Sequence, residues 1–314
     1  FPGIAVQAAY ARLREGAEEH AAGVVAAFVG VLILVNGAWT YVDYFQRWGQ
    51  LEEVRGFHQA QLATVARDLD QQVAAVPTAI CSSVLNEEDS FWRSGRQSIR
   101  FMMEREETRI RWYDCGSAQV VPMADGEAQF YFMNNATFGE WVAAPAEASV
   151  FPLDGGTQRI VADTQRWLEE LASHVSTPPQ IEGPLQFGEE MRFMGYDLDR
   201  RNLPAGGAIE LLTFWQVSAA MPAERSVFVH LMDDDGQLLA QGDGFSVLSD
   251  TLMPGDVVIQ LHRLVVPEDT EAGDYPLFIG VYSRLGDRPP LPLIVKGEEQ
   301  EGRLEITSIT VGIP

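Results

Sequence analysis

AAGVVAAFVGVLILVNGAWTYV, residues 21–42, decides how the rest of the chain is read. The run is uncharged, and Asn36 and Thr40 are its only clearly polar members. With a rise of ~1.5 Å per residue, a helix of this length covers about 33 Å, enough for the ~30 Å hydrocarbon core of a bilayer. The reading is a single transmembrane helix over residues 21–43. Asn36 lies near the end of the run, where hydration or a neighbouring helix satisfies its amide. Trp39, Tyr41, Tyr44 and Phe45 cluster at the C-terminal edge, as aromatic residues do at a membrane–water interface. A buried helix of a soluble domain is the competing reading, but such helices usually have shorter apolar stretches and a polar face. A cleaved signal peptide fits less well, because the stretch is too long and no small-residue cleavage site follows.

Basic residues flanking the span nearly balance: Arg12 and Arg14 precede it, Arg47 and Arg55 follow it. The region after it is strongly acidic, with Lys296 as its lone lysine, and carries Cys81 and Cys115. Those cysteines are a candidate disulfide on the extracytoplasmic side, with a pair of buried intracellular thiols as the open alternative. The preferred orientation puts the bulk of the chain outside a plasma (inner) membrane. A net charge of −23 argues against nucleic acid as a partner, since no basic stripe replaces phosphate counterions. It also disfavours close binding of the globular part to anionic lipid.

Working outward, residues 1–20 form an N-terminal segment, readable as the tail of a preceding helix if the chain is part of a longer protein. Residues 44–176 alternate helical and strand patterns and predict a small α/β domain. Leu62, Val65, Ala66, Leu69 and Val73 recur at helical spacing, Val76–Cys81 reads as a strand, and a helix is expected over Phe91–Arg105. Strands are expected near Thr108–Asp114 and Ala128–Met133, and a further amphipathic helix near Gln158–His174, with Thr157 as its cap. Ser176-Thr177-Pro178-Pro179 opens a linker over 177–183. From 184 to 314 the period becomes two. Val227, Val229 and Leu231 alternate with Phe228, His230 and Met232, and the same holds near 209–217, 257–266, 275–282 and 303–311. Turns at Asp235-Gly236, Gly242-Asp243-Gly244, Pro254-Gly255, Ala272-Gly273 and Gly286-Asp287 separate the strands. This predicts an antiparallel β-sandwich, jelly-roll or immunoglobulin-like. The fold class is therefore α+β and multidomain.

Tyr44-Phe45-Gln46-Arg47-Trp48 directly after a span, and then Arg111-Trp112-Tyr113-Asp114, resemble the C-terminal region of bacterial glycosyltransferase family 39 proteins, relatives of protein O-mannosyltransferases. Phe214-Trp215-Gln216, Val227-Phe228-Val229-His230-Leu231, Gln241-Gly242-Asp243-Gly244 and Gly280-Val281-Tyr282 resemble strands of the extracytoplasmic domain attached to some of these enzymes. The likeness implies a last membrane helix followed by extracytoplasmic domains, in a protein that transfers sugar from a polyprenyl phosphate. The many-helix core and its acidic catalytic loop have no counterpart here, so no catalytic position carries over.

Other chemistry reads weakly. Asp233-Asp234-Asp235-Gly236 with Asp243 invites calcium, but the terminal Glu of a twelve-residue loop is missing and a hairpin turn explains the same residues. His20, His58, His174, His230 and His262 lack ligand spacing. No cofactor, metal or catalytic residue is expected. Trp215, Tyr275 and Tyr282 are candidate glycan contacts, although in alternating strands one face must fill the core. Gly23, Ala26, Ala27 and Gly30 give small-xxx-small spacing for close helix packing beside other integral membrane proteins. The expected function is a membrane-anchored, non-catalytic extracytoplasmic accessory or scaffolding subunit, with the bilayer, other membrane proteins and a glycan as its partners. The alternative is the C-terminal portion of a polyprenyl-phosphate-sugar-dependent glycosyltransferase, its sandwich assisting acceptor or glycan binding.

Overall fold

A computed structural model of the chain describes residues 7–8, 10–11, 21–57, 60–72, 75–82, 95–104, 109–123, 126–178, 184–222, 224–284 and 289–312. They fall into two compact units, Phe1–Ala60 and Gln61–Pro314. Most of the segment read as the tail of a preceding helix, and most of the linker at 177–183, lie outside the described residues.

In the first unit the apolar run forms helix α1 (Ala21–Tyr41). A π-helical turn over Val42–Arg47, a 3-10 turn over Trp48–Gln50 and a short helix α2 (Glu52–Phe57) continue it. Phe28, Ile33 and Leu34 are 64%, 66% and 74% exposed, and none of the most apolar window is buried. The helix is apolar all round, so it has no polar face to turn to water while another side packs. At its end, Asp43 accepts hydrogen bonds from Trp39 Nε1 at 2.8 Å and Arg47 Nη1 at 3.0 Å. Tyr44 stacks on Trp48 with ring centroids 4.8 Å apart.

The second unit begins with α3 (Ala60–Gln71), β1 (Thr78–Cys81), α4 (Gly95–Met102), β2 (Ile110–Tyr113) and β3 (Ala118–Val121). It continues with β4 (Glu127–Phe132), β5 (Ala148–Leu153), β6 (Thr157–Asp163) and α5 (Thr164–Ala172). Five strands form a mixed sheet in the order β2-β1-β4-β6-β5, with β1 parallel to both neighbours. Alternation along the strands divides its faces. Ile80, Trp112 and Tyr131 pack with Leu62, Val65, Ala66 and Leu69 of α3 and Ile99 of α4. Ala79, Cys81, Tyr113, Phe130 and Phe132 face the other way, into the main core.

The helix expected near Gln158–His174 is half strand. Residues 157–163 pair with both β4 and β5, and the helix starts only after Asp163, whose side chain accepts from Arg166 N at 3.1 Å. Thr157 opens a strand and caps no helix. Ile160, Thr164, Trp167 and Leu171 do share helical spacing. The Asp163 cap interrupts it, and sheet pairing claims the β-branched residues before it.

The remaining strands are β7 (Leu185–Phe187), β8 (Met191–Leu198), β9 (Asn202–Pro204), β10 (Ala208–Val217), β11 (Arg225–Met232) and β12 (Leu238–Gln241). They are followed by β13 (Val257–Val265), β14 (Gly273–Ser283), β15 (Leu293–Val295), β16 (Glu298–Gln300) and β17 (Leu304–Gly312). One sheet runs β16-β15-β7-β8-β10-β13-β3 and the other β12-β11-β14-β17-β9. Pairing is antiparallel except between β9 and β17. Inward residues of both sheets, among them Leu211, Trp215, Val229, Ile259, Ile279 and Ile309, share one buried cluster with the inner face of the mixed sheet.

Strand β3 shows that the separation expected between residues 44–176 and 184–314 does not hold at the level of sheets. Although it lies in sequence between two strands of the mixed sheet, it pairs with β13 through Val121↔Val257 and Ala118↔Gln260. All its residues are buried, so it closes the β13 edge that would otherwise be left unpaired. The Cys81 and Cys115 sulfurs, both within residues 44–176, are bonded, with Cα atoms 5.4 Å apart. One further tie joins the two parts. Arg111 on β2 grips Asp256, just before β13, through Nε at 2.8 Å and Nη2 at 3.0 Å.

Candidate functional site

Strands β11 and β14 carry the most suggestive surface. Val227, Val229, Leu231, Leu277, Ile279 and Val281 point inward and are fully buried. Period two therefore sends Phe228, His230 and Met232, with Phe278, Gly280 and Tyr282, to the opposite face. The register sets Phe228 opposite Gly280 and His230 opposite Phe278. An outer sheet face usually carries polar residues, and this one is aromatic. The result is a groove of about 700 Å³, edged by Gln241, Asp243, Pro290, Glu301 and Arg303.

Gly280 makes the floor possible, because a Cβ there would meet Phe228 Cζ at 2.2 Å. The Phe228 ring therefore lies over bare backbone, 4.6 Å from the His230 ring and 6.4 Å from Tyr282. Arg303 holds its guanidinium 5.2 Å from the Phe278 ring centroid and donates to Glu301 at 3.1 Å. Asp243 accepts from Val229 N and from the Tyr282 hydroxyl, each at 3.3 Å. His230 Nε2 also lies 3.3 Å from Asp243, but off the hydrogen-bond direction, so that nitrogen is left without a protein partner. The groove thus combines flat apolar faces with carboxylate, amide, imidazole and guanidinium groups at the rim, the composition of a small-molecule site.

Of the glycan contacts read from sequence, the structure brings only Tyr282 here. Trp215 is fully buried, donates Nε1 to Thr213 Oγ1 at 2.8 Å and cannot touch a ligand. Tyr275 shares its strand's inward parity and gives its hydroxyl to Glu271 O at 2.8 Å. Both fill the structure because their side of the strand is the core side. Phe228, His230, Met232 and Phe278 were missed, although the alternation that separates them from the valines was visible.

The residues that carried the glycosyltransferase likeness in β2 are structural: Arg111 pairs with Asp256, and Trp112 and Tyr113 are core. Asp233 serves its hairpin by accepting from Gln237 N at 2.6 Å. Among the described residues, no three His, Cys, Asp or Glu side chains gather in a way that could hold a metal. Gly23, Ala26, Ala27 and Gly30 all lie on α1, and among the described residues nothing beyond the helix's own backbone comes within 4 Å of a Cβ built at Gly23 or Gly30. Asp68 joins Tyr131, Arg159 and Gln72 in a connected polar cluster. There, burial and then the Asp68 carboxylate raise the Tyr131 pKa above its ordinary value. Each member bonds to another, with Arg159 Nε left unmet, and the mutual pairing suits a structural role.

His262 is also structural. Its Nδ1–H donates to Gly242 O at 2.6 Å, while Nε2 accepts from the Thr213 hydroxyl at 2.9 Å, roles that need the neutral ring. Burial lowers its pKa from 6.5 to about 4, against the opposing pull of the Gly242 carbonyl and Asp243. The unfolded chain therefore takes up this proton first. The stability contributed by the neutral ring is fully present above pH 6.5, falls as the pH drops, and is lost by about pH 4, a change of about 3 kcal/mol. Urea unfolding from pH 7 to 4 should show this slope for the native chain and a shallower one for His262→Gln.

No protein family matches the chain, and no curated protein does. Among solved structures it is similar to the C-terminal domain of Wzt, at 13% identity and TM-score 0.32, over 45% of this chain and 84% of that one. It is similar to the CARDB domain of a Pyrococcus furiosus protein in complex with di-metal ions, at 13% identity and TM-score 0.23, over 42% and 91%. A glycosyl hydrolase family 2 member from Bacteroides cellulosilyticus is 9% identical at TM-score 0.20, over 63% and 26%. Likenesses this distant identify neither a family nor a ligand.

Proposed function

We propose that the chain is a membrane-anchored extracytoplasmic accessory subunit whose outer sheet face binds a glycan. The observation that carries the reading is the aromatic groove over β11 and β14. A pyranose ring has one face rich in C–H bonds, which packs on Phe278 or Tyr282, while its hydroxyls reach Asp243, Gln241 and Arg303. Anchoring is supported by the length and all-round apolarity of α1 and by its aromatic C-terminal edge. An oxidising compartment is supported by the Cys81–Cys115 bond. Gly23, Ala26, Ala27 and Gly30 supply a small-residue stripe for a neighbouring membrane helix. The order β8-β10-β13 in one sheet and β12-β11-β14-β17 in the other supports an immunoglobulin-like sandwich over a jelly roll. The glycosyltransferase likeness remains a proposal of kinship and assigns no catalytic residue.

The test is a glycan array probed with the full chain in detergent, taken from a membrane fraction that resists alkaline extraction. Tyr282→Ala should weaken any bound glycan by at least about tenfold, the scale of about 1.4 kcal/mol for one lost stacking contact. Trp215→Phe, a core substitution, should leave affinity unchanged in the folded fraction. Silence across the array, or equal binding by Tyr282→Ala, sinks the glycan reading. Release of the chain by alkali sinks the anchor.

A further inference from the structure

A second cleft of about 560 Å³, which shares no lining residue with the groove, opens between α4, the start of β2 and the 3-10 turn Ser249–Thr251. Its floor is apolar: Ile99, Trp112 and Leu252 are 1%, 3% and 5% exposed. Its rim is cationic in a chain whose net charge is −23. Arg96 and Arg100 stand four residues apart on α4, hence on one helix face, and Arg109 enters from the residue before β2. Arg96 is committed, donating Nη1 to Asp250 Oδ2 at 2.6 Å and tying α4 to the turn. The Arg100 and Arg109 guanidinium groups have no hydrogen-bond or ion-pair partner among the described residues. Two exposed guanidinium groups, without a partner among the described residues and set over an apolar floor, suit a ligand with about two negative charges and an apolar body.

We infer that this cleft binds a phosphate monoester carrying an apolar group. The monoester supplies −1.5 to −2 charges near neutral pH, matching Arg100 and Arg109, and its oxygens suit the planar fork of a guanidinium. The organic part lies on Ile99, Trp112 and Leu252, where it removes apolar surface from water. The proposal is independent of the glycan groove.

Titration calorimetry of the full chain in neutral detergent, with phenyl phosphate as probe, tests it. Phenyl phosphate should bind at least about tenfold more tightly than inorganic phosphate, and phenol should not bind. Arg100→Gln and Arg109→Gln should each weaken binding about tenfold, and Arg100→Lys less, because the charge stays while the fork is lost. Thermal unfolding of each variant confirms that it is folded; where Arg109→Gln is not, Arg100→Gln on α4 carries the test. Competition by nanodiscs containing phosphatidic acid assigns the ester to lipid, and absence of competition assigns it to a soluble compound, both with this cleft as the site. No binding of phenyl phosphate, equal binding of inorganic phosphate, or unchanged affinity in the folded variants would overturn it.

Discussion

Asp256→Ala should destabilise the second unit by about 3–5 kcal/mol, the cost of leaving a buried charge without its partner. Arg111 and Asp256 have side chains only 6% and 1% exposed, and the carboxylate also accepts from Met123 N at 3.1 Å and Met253 N at 2.8 Å. Removing it strands the Arg111 guanidinium and unpairs both backbone donors. Denaturant unfolding reads the loss as a lower midpoint with an unchanged slope. Arg111→Met with Asp256→Leu should recover part of it, since an apolar pair no longer has to be desolvated as ions, although the two backbone donors stay unmet. If Asp256→Ala unfolds like the native chain, the pair is not a structural tie.

Opening the Cys81–Cys115 bond should cost about 3–4 kcal/mol, the entropy returned to the unfolded chain when a loop of this size is released. The two residues are 34 apart in sequence, joining the end of β1 to the turn after β2. The Cys81→Ala, Cys115→Ala double variant should unfold at lower denaturant, and native chain treated with reductant should move to the same midpoint. A thiol-labelling assay on unfolded chain drawn directly from the membrane should find both cysteines protected before reduction. Free thiols there would remove the compartment argument together with the stability term.

The legible parts were those with a local cause. Residues 21–41 form a helix because a long uncharged apolar run outweighs the single turn signal at Asn36-Gly37, and α1 covers most of the run. Strands β10, β11, β13, β14 and β17 lie where alternation placed them, bounded by turns such as Gly236 and Gly255 at φ +75 and +96. The failure over 158–174 was also local: Ile160, Thr164, Trp167 and Leu171 satisfy helical spacing, while Ile160 and Ala162 equally satisfy a strand. Only the two strands flanking β6 settle the choice.

The functional surfaces were less legible. Along β11, Val-Val-Leu and Phe-His-Met are both apolar enough to be the inner row, so sequence sorted residues into two faces without saying which faces water. For the same reason Trp215 looked available, and β3 gave no sign that its partner lay about 140 residues away, as at Gln119↔Ile259.

What the amino-acid order determined by itself is the period of each segment, because helix and strand repeats follow from backbone geometry within a few residues. What the tertiary structure alone decided is partnership: β3 on β13, Arg111 on Asp256, Phe228 over Gly280, and arginines from α4 and β2 around one cleft. Such pairings depend on which apolar faces bury one another across long stretches of chain, and closing those loops is repaid only by the packing of the whole core.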